Sequence, residues 1–169
     1  MEDIIKELAR STTEIGELLG ANASVLFLKP SIDEWSVLEC ITHLWLVEDS
    51  ILRTVLSGGD IVDGPSQTWE AGKLKHILVN KREHKFDAPS LFVPRNEFLD
   101  AFVAFEHLKV VRNEFLRLLT ENSAVFDGQL FPHPRLGMMT RLDWLWFAVA
   151  HSDRHLLQMR DTVLVLPNM

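Results

Sequence analysis

Thr140–Arg160, TRLDWLWFAVAHSDRHLLQMR, reads as one long helix carrying two histidines four residues apart, His151 and His155. Residues at i and i+4 are surface neighbours on an α-helix, so both imidazoles stand on one face, one turn apart. With His151 as the zero direction and about 100° per residue, His155 falls at roughly 40°. Trp144, Ala148 and Met159 then lie between about 20° and 80°, and Leu142, Leu145, Val149 and Leu156 between about 120° and 180°. The histidines therefore border the apolar stripe that should face a core. Asp143 and Arg154, on their far side, are expected to point to water. Two readings of the pair are open. Each imidazole can be hydrogen-bonded at a helix interface, or the two nitrogens can hold one ion from a rigid element. Ser152, not Glu, follows the first histidine, so this is not the metalloprotease pattern, which needs that Glu as general base. A third ligand must come from elsewhere in the chain.

Three more helices can be read upstream. Ile5, Leu8, Thr12, Ile15 and Leu19 recur at spacings of three and four, which predicts a first helix over 3–20. Pro30 stops any helix from running through the following ANASVLFLKPSIDEW. A second helix is expected from Ser36, where Ser36-Val-Leu-Glu39 has the form of a capping box, to a C-terminal signal at Gly58-Gly59. Its apolar stripe is Cys40, Leu44, Val47, Ile51 and Val55. His43 borders that stripe, as His151 and His155 border theirs. Glu39, one turn before His43, can orient the imidazole or serve the capping box, and the cap is the preferred role.

Residues 58–94 are punctuated by Gly58, Gly59, Gly64, Pro65, Pro89 and Pro94 and read as a long crossover with a short helix inside it. Its basic cluster, Lys73, Lys75, Lys81, Arg82 and Lys85, reads as a solvated face; His76 and His84 carry little signal. A third helix is expected over 95–121, with Phe98, Ala101, Phe105, Leu108, Phe115 and Leu119 in line, Phe102 and Val111 widening the stripe, and His107 exposed. FDGQLFPHPRLGMM reads as a loop. The last helix then opens at Thr140 with Asp143 three residues on. The apolar tail VLVLPNM is expected to pack on the bundle. Four long helices with core stripes predict an all-α four-helix bundle, a single domain over 1–169, with helices two and three joined by the crossover.

Composition narrows the function classes. Of 169 residues, 47% are hydrophobic and 24% charged, with 8 Gly and 7 Pro, which is the balance of one compact domain with a sizeable core. A formal net charge of -7 argues against nucleic acid as a partner, since phosphate binding needs a basic face. The single cysteine, Cys40, excludes an intramolecular disulfide framework and suits a reducing cytosol. MEDIIKELAR begins acidic without a long apolar run, so no signal peptide is expected. No stretch reaches the roughly 18 apolar residues of a membrane span. A cytoplasmic protein that acts on a small molecule, with neither nucleic acid nor membrane as partner, is the expectation.

The pieces Pro30-x4-Trp35-Ser36-x2-Glu39-x3-His43-Leu44, then His133-Pro134-x2-Gly137-x2-Thr140, then Trp144 and His151-x3-His155-x2-Gln158, together and in this order, resemble the DinB/YfiT-like superfamily. That resemblance spans nearly the whole chain. It implies an up-down-down-up four-helix bundle, often a homodimer, holding one divalent metal by three histidines. Those ligand positions fall on His43, His151 and His155. The family's name comes from a damage-inducible gene and implies no DNA polymerase. Three imidazoles with open positions are the layout of a catalytic site, and zinc, nickel and iron all remain open as the ion.

Characterised relatives include S-transferases that use bacillithiol and a mycothiol-dependent maleylpyruvate isomerase. A thiol S-transferase or hydrolase, working through a metal-bound water or thiolate, with or without a low-molecular-weight thiol cofactor, is the activity the resemblance implies. No catalytic residue is identified beyond Glu39, a candidate by spacing alone. The segment 73–85 and Arg154 are the cationic groups considered for an acidic cofactor. The alternatives are a non-catalytic metal-binding or interaction protein of stress response, and a bundle whose three histidines are merely hydrogen-bonded.

Overall fold

The computed structural model describes residues 2–57, 69–80, 87–121 and 129–166. In chain order come α1 (Glu2–Ala21), α2 (Val37–Leu56), a short α3 (Ala71–Lys75) that passes into a π-helical turn at His76–Asn80, and a 3-10 turn at Ser90–Phe92. There follow α4 (Ala101–Glu121), an antiparallel pair β1 (Leu130–His133) and β2 (Gly137–Thr140), and α5 (Arg141–Val165). Of the expected crossover, Gly58, Gly59, Gly64, Pro65, Lys81, Arg82, His84 and Lys85 lie outside the described residues.

Contacts between the four long helices set their directions. Trp45 meets His107 and Glu48 meets Arg112, so α2 and α4 run parallel. Arg10 meets Asp153 and Glu14 meets Arg160, so α1 and α5 also run parallel. Thr12 meets Arg112 while Gly16 faces Phe105, so α1 and α4 oppose each other. The bundle is therefore up-down-down-up, and parallel α2 and α4 are why a long crossover joins them.

Local chemistry sets the helix starts. Ser36 Oγ accepts from Glu39 N at 3.2 Å and the Glu39 carboxylate accepts from Ser36 N at 2.9 Å, the reciprocal capping box that begins α2. Thr140 and Asp143 repeat it at α5. The third long helix begins at Ala101 rather than at 95. Asn96 has φ 67°, which no helix interior accommodates, and the Asp100 carboxylate accepts from the N–H groups of Phe102 and Val103. Phe98, left outside the helix, packs edge-on against Trp45 with ring centroids 4.9 Å apart.

Other expectations need correcting. Phe102 is 44% exposed and does not widen the core stripe, and in α1 it is Ile4, not Ile5, that is buried. The loop expected after α4 contains the hairpin, with Leu130 paired to Thr140 and His133 to Gly137, whose φ of 78° closes the turn. Pro132 is tolerated there because a two-stranded ribbon has only edges. At the far end α5 continues through Val165. Val163 packs on the core as expected of the tail, but Leu164 and Val165 are exposed, and Pro167, Asn168 and Met169 lie outside the described residues.

Among the described residues two apolar clusters fill the bundle, and a smaller third one, of Leu74, Leu78 and Ala150, lies between the segment 69–80 and α5. Of the first two, one gathers Leu8, Val47, Ile51, Val111, Phe115 and Val149, and the other Ile15, Cys40, Leu44, Leu108, Leu156 and Met159. Between them lies a buried polar layer of Ser11, Glu48, Arg112 and Ser152, which the periodicity of the sequence does not signal. Among the described residues no helix is long and apolar enough to cross a membrane. Phe115 is 1% exposed within the first cluster. Phe115→Ala should therefore lower stability by about 3–5 kcal/mol in urea unfolding; a loss below about 1 kcal/mol would mean that the cluster collapses around the gap.

Candidate metal centre

The capping box that starts α2 puts His43 two turns into a rigid helix, and α5 carries His151 and His155 one turn apart against it. The three Nε2 atoms converge. His151 Nε2 lies 3.3 Å from His43 Nε2 and 3.1 Å from His155 Nε2. One ligand atom from each residue lies within 4.8 Å of the other two, and no other such cluster of His, Cys, Asp and Glu occurs among the described residues. His43 and His155 are buried.

The outer nitrogens show which proton each ring carries. His43 Nδ1 lies 2.7 Å from the backbone carbonyl of Phe92. A carbonyl can only accept, so Nδ1 is the donor and the Nε2 of His43 is a lone pair. His155 Nδ1 is 2.9 Å from Gln158 Oε1, with the same consequence. Two lone pairs thus face His151 Nε2. A single proton there can satisfy only one of them well, and it would leave His151 Nδ1, which is buried without a partner among the described residues, as an unmatched acceptor. Hydrogen bonding alone does not balance this cluster. One cation could accept all three Nε2 lone pairs and so balance the inner face of the cluster, with the remaining proton of His151 on Nδ1, which has no acceptor among the described residues.

Electrostatics keep the rings neutral. Burial pushes the His151 imidazole well below its ordinary value, reinforced by repulsion from His155, His43, Arg154 and His133. Burial does the same to His155, with repulsion from His43 partly offset by the Gln158 hydrogen bond. Burial also lowers His43, against the opposing pull of the Phe92 carbonyl. Neutral imidazole is the form that binds metal.

Aromatic rings wall the cluster. Trp35 lies 4.8 Å from His43 and stacks on His155 at 6.1 Å between ring centroids. Phe147 stacks on His151 at 5.5 Å and is itself 4.9 Å from His133. His133 Nδ1 accepts from the N–H groups of Arg135 and Leu136, which ties the hairpin turn to this column. Burial, then Arg135, pushes the His133 pKa down to about 4.

The other residues singled out by sequence sit elsewhere. Glu39 holds Ser36 N with one oxygen and Lys29, at 2.7 Å, with the other. Burial pushes its carboxyl up, but Lys29 and Ser36 outweigh that and hold it below the usual range. Asp143 does not point to water: it is 3% exposed and accepts from Trp69 N as well as capping α5. Arg154 is half-buried and donates to the Leu78 carbonyl. Both are covered because the segment 69–80 folds over this side of α5. Lys75 pairs with Asp153, and Lys73 lies 4.0 Å from Glu70. Cys40 is buried, and burial, then Glu39, raises its thiol pKa.

Sequence reasoning missed Phe92, because a backbone carbonyl 49 residues from His43 leaves no side-chain signature. It noted Gln158 without a role, although Gln three residues after a candidate ligand is within reach on the same helix face.

A helical bundle whose second and last long helices bring three neutral imidazoles to one point defines a class of protein built around a candidate metal centre. The chain belongs to the DinB superfamily, whose family model matches residues 2–159. It is 28% identical over 145 residues to the uncharacterized protein YuaE of Bacillus subtilis (strain 168), across 86% of this chain and 87% of that one. The fold is similar to that in the crystal structure of TT2238, a four-helix bundle protein, with a TM-score of 0.55 and 20% identity over 95% of this chain and 98% of that one.

A histidine whose folded pKa is depressed binds fewer protons than the unfolded chain between the two values, so folding stability rises with pH across that window and is lost as the pH is lowered through it. For His43, His151 and His155 the window opens at the ordinary value of 6.5 and extends downward. Chelator-treated protein should therefore keep a constant urea midpoint above about pH 7.5 and lose stability progressively from about pH 6.5 to 5. His155→Gln should flatten that slope. A midpoint that does not change over this range would contradict neutral burial of the imidazoles.

Proposed function

We propose that His43, His151 and His155 hold one divalent transition metal and that the bundle is a metal-dependent enzyme of the thiol S-transferase or hydrolase type. The observation that carries the metal reading is the two imidazole lone pairs of His43 and His155 aimed at the Nε2 of His151, which a single proton there does not satisfy together. Three histidine nitrogens suit zinc, nickel or iron(II), and zinc is the ion that a three-nitrogen set leaves with one exchangeable position. The ion would supply Lewis acidity, lowering the pKa of a water or thiol ligand and polarising an acceptor group.

The chain's own groups would then divide the remaining work. Phe92 and Gln158 fix two imidazole orientations and hold the protons on the outer nitrogens. Trp35 and Phe147 line the cluster with apolar surface, which strengthens electrostatic interactions by excluding water. Glu39 is committed to its cap and to Lys29, so we assign the general base to no protein carboxylate. The assignment of S-transferase or hydrolase chemistry rests on family membership, and fold does not by itself fix function.

The test is consumption of a panel of electrophiles with several low-molecular-weight thiols, and of esters and amides without thiol. Each is run with protein as purified, after chelation and after reloading. A rate that is lost with chelator, returns with one metal and is absent from His155→Ala is the expected result. A thiol- and metal-independent rate, or none with any pair, would overturn the enzymatic reading and leave a metal-binding protein without turnover.

A further inference from the structure

The three histidines come from two helices packed on each other largely through apolar side chains, and apolar contacts are non-directional and tolerate sliding. A slip of α5 along α2 by a single residue would move His151 by about 1.5 Å. Metal–ligand distances tolerate only about 0.2 Å. Something directional has to set the register, and the buried polar layer is placed to do it.

Arg112 on α4 is 2% exposed and Glu48 on α2 is fully buried. Arg112 Nε donates to Glu48 Oε2 at 2.9 Å and its NH2 group donates to Glu48 Oε1 at 2.7 Å. The same NH2 donates to Ser152 Oγ on α5 at 2.7 Å, and Ser152 Oγ donates in turn to Glu48 Oε1 at 2.8 Å. The NH1 group donates to Thr12 Oγ1 at 2.9 Å and to Ser11 Oγ at 3.5 Å on α1. A guanidinium has five N–H donors, and all five are used, with all four long helices tied at one point. Ser152 is the neighbour of His151. Glu48 lies five residues, about 7.5 Å along the axis, below His43. The hydroxyl of Ser152 therefore fixes α5 against α2 within two turns of the three imidazoles.

Stability alone does not account for this layer. A buried ion pair is often no more stabilising than apolar side chains of the same volume, because both charges must be desolvated. What it supplies is direction. We propose that Glu48, Arg112 and Ser152 are positioning residues of the three-histidine centre, holding α5 in the one register on α2 that brings His151 and His155 to His43. This rests on the metal reading of the centre for its consequence, but not for its geometry.

The experiment compares the parent chain with Glu48→Leu/Arg112→Met, which replaces the pair by apolar groups, and with Ser152→Ala, which removes only the tie to α5. Metal-free proteins are titrated with Co2+, followed by visible absorption. Amide hydrogen exchange of the α5 peptide spanning 148–156 is measured without metal, alongside the thermal midpoint. The double variant should fold with a midpoint near or above the parent's. It should bind Co2+ at least about tenfold more weakly, with an altered spectrum, as loss of outer support for metal ligands does. Ser152→Ala should show the same weakening to a smaller degree. Exchange across 148–156 should rise in both, and in Ser152→Ala, which keeps the Arg112 contacts to Ser11 and Thr12, without a matching rise in α1.

Folded variants with parental Co2+ affinity and parental exchange would overturn the proposal. Should the double variant not fold, Ser152→Ala decides by the same two readouts. If the parent itself binds no Co2+, it is the metal reading that fails. The exchange readout of Ser152→Ala then decides the positioning claim by itself: faster exchange across 148–156 without a matching rise in α1 supports it, and unchanged exchange overturns it.

Discussion

One guanidinium sits where all four long helices meet, and the interior is organised around the need to satisfy it. Arg112 brings a charge into a core from which water is excluded, a position that costs several kcal/mol unless every donor finds an acceptor. The acceptors come from α1, α2 and α5: two hydroxyls of Ser11 and Thr12, the carboxylate of Glu48 and the hydroxyl of Ser152. Each is near the middle of its helix. This is why the apolar residues of the bundle fall into two clusters, with Leu8 and Val149 on one side and Ile15 and Leu156 on the other. Such a layer demands one relative height of the helices, whereas leucines and valines accept several.

The histidine cluster uses that rigidity. Its chemistry is set by what surrounds it: a carbonyl and an amide oxygen on the outer nitrogens, aromatic rings on the sides, and burial that removes the proton each imidazole might otherwise gain. Two lone pairs meet a third nitrogen with too few protons to share. The proposed ion answers that imbalance. The crossover between α2 and α4 takes part through Phe92, whose carbonyl orients His43 from outside the bundle, and through the segment 69–80, which covers Asp143 and Arg154.

How much of this could be read from the sequence depended on whether the deciding interaction is local. His151 and His155 are one turn apart on one helix, and a histidine on the edge of another stripe at His43 completes the set, so the cluster was legible. The capping box at Ser36 was legible for the same reason, and so was the role of Glu39 within it. Periodicity misplaced the start of α4 because Phe98 continues the apolar spacing, although the turn at Asn96 and the carboxylate of Asp100 begin the helix later. Phe102 was assigned to the core by spacing, but that side of α4 has no partner helix among the described residues. Arg112 and Glu48 carry no signal in the sequence, since nothing in the neighbourhood of either announces a partner 64 residues away. Asp143 reads as solvent-facing in sequence because its partner Trp69 comes from a segment with weak helical pattern. Non-local partners were the consistent blind spot.

The most direct test of the account is elemental analysis of protein purified without chelator or metal-affinity resin, beside a His43→Ala/His155→Ala variant carried through the same steps. The account predicts about one transition-metal ion per chain in the parent, and none in the variant while its helical circular dichroism is retained. A parent that is empty and cannot be loaded, or a variant that keeps the same ion in the same amount, would contradict it.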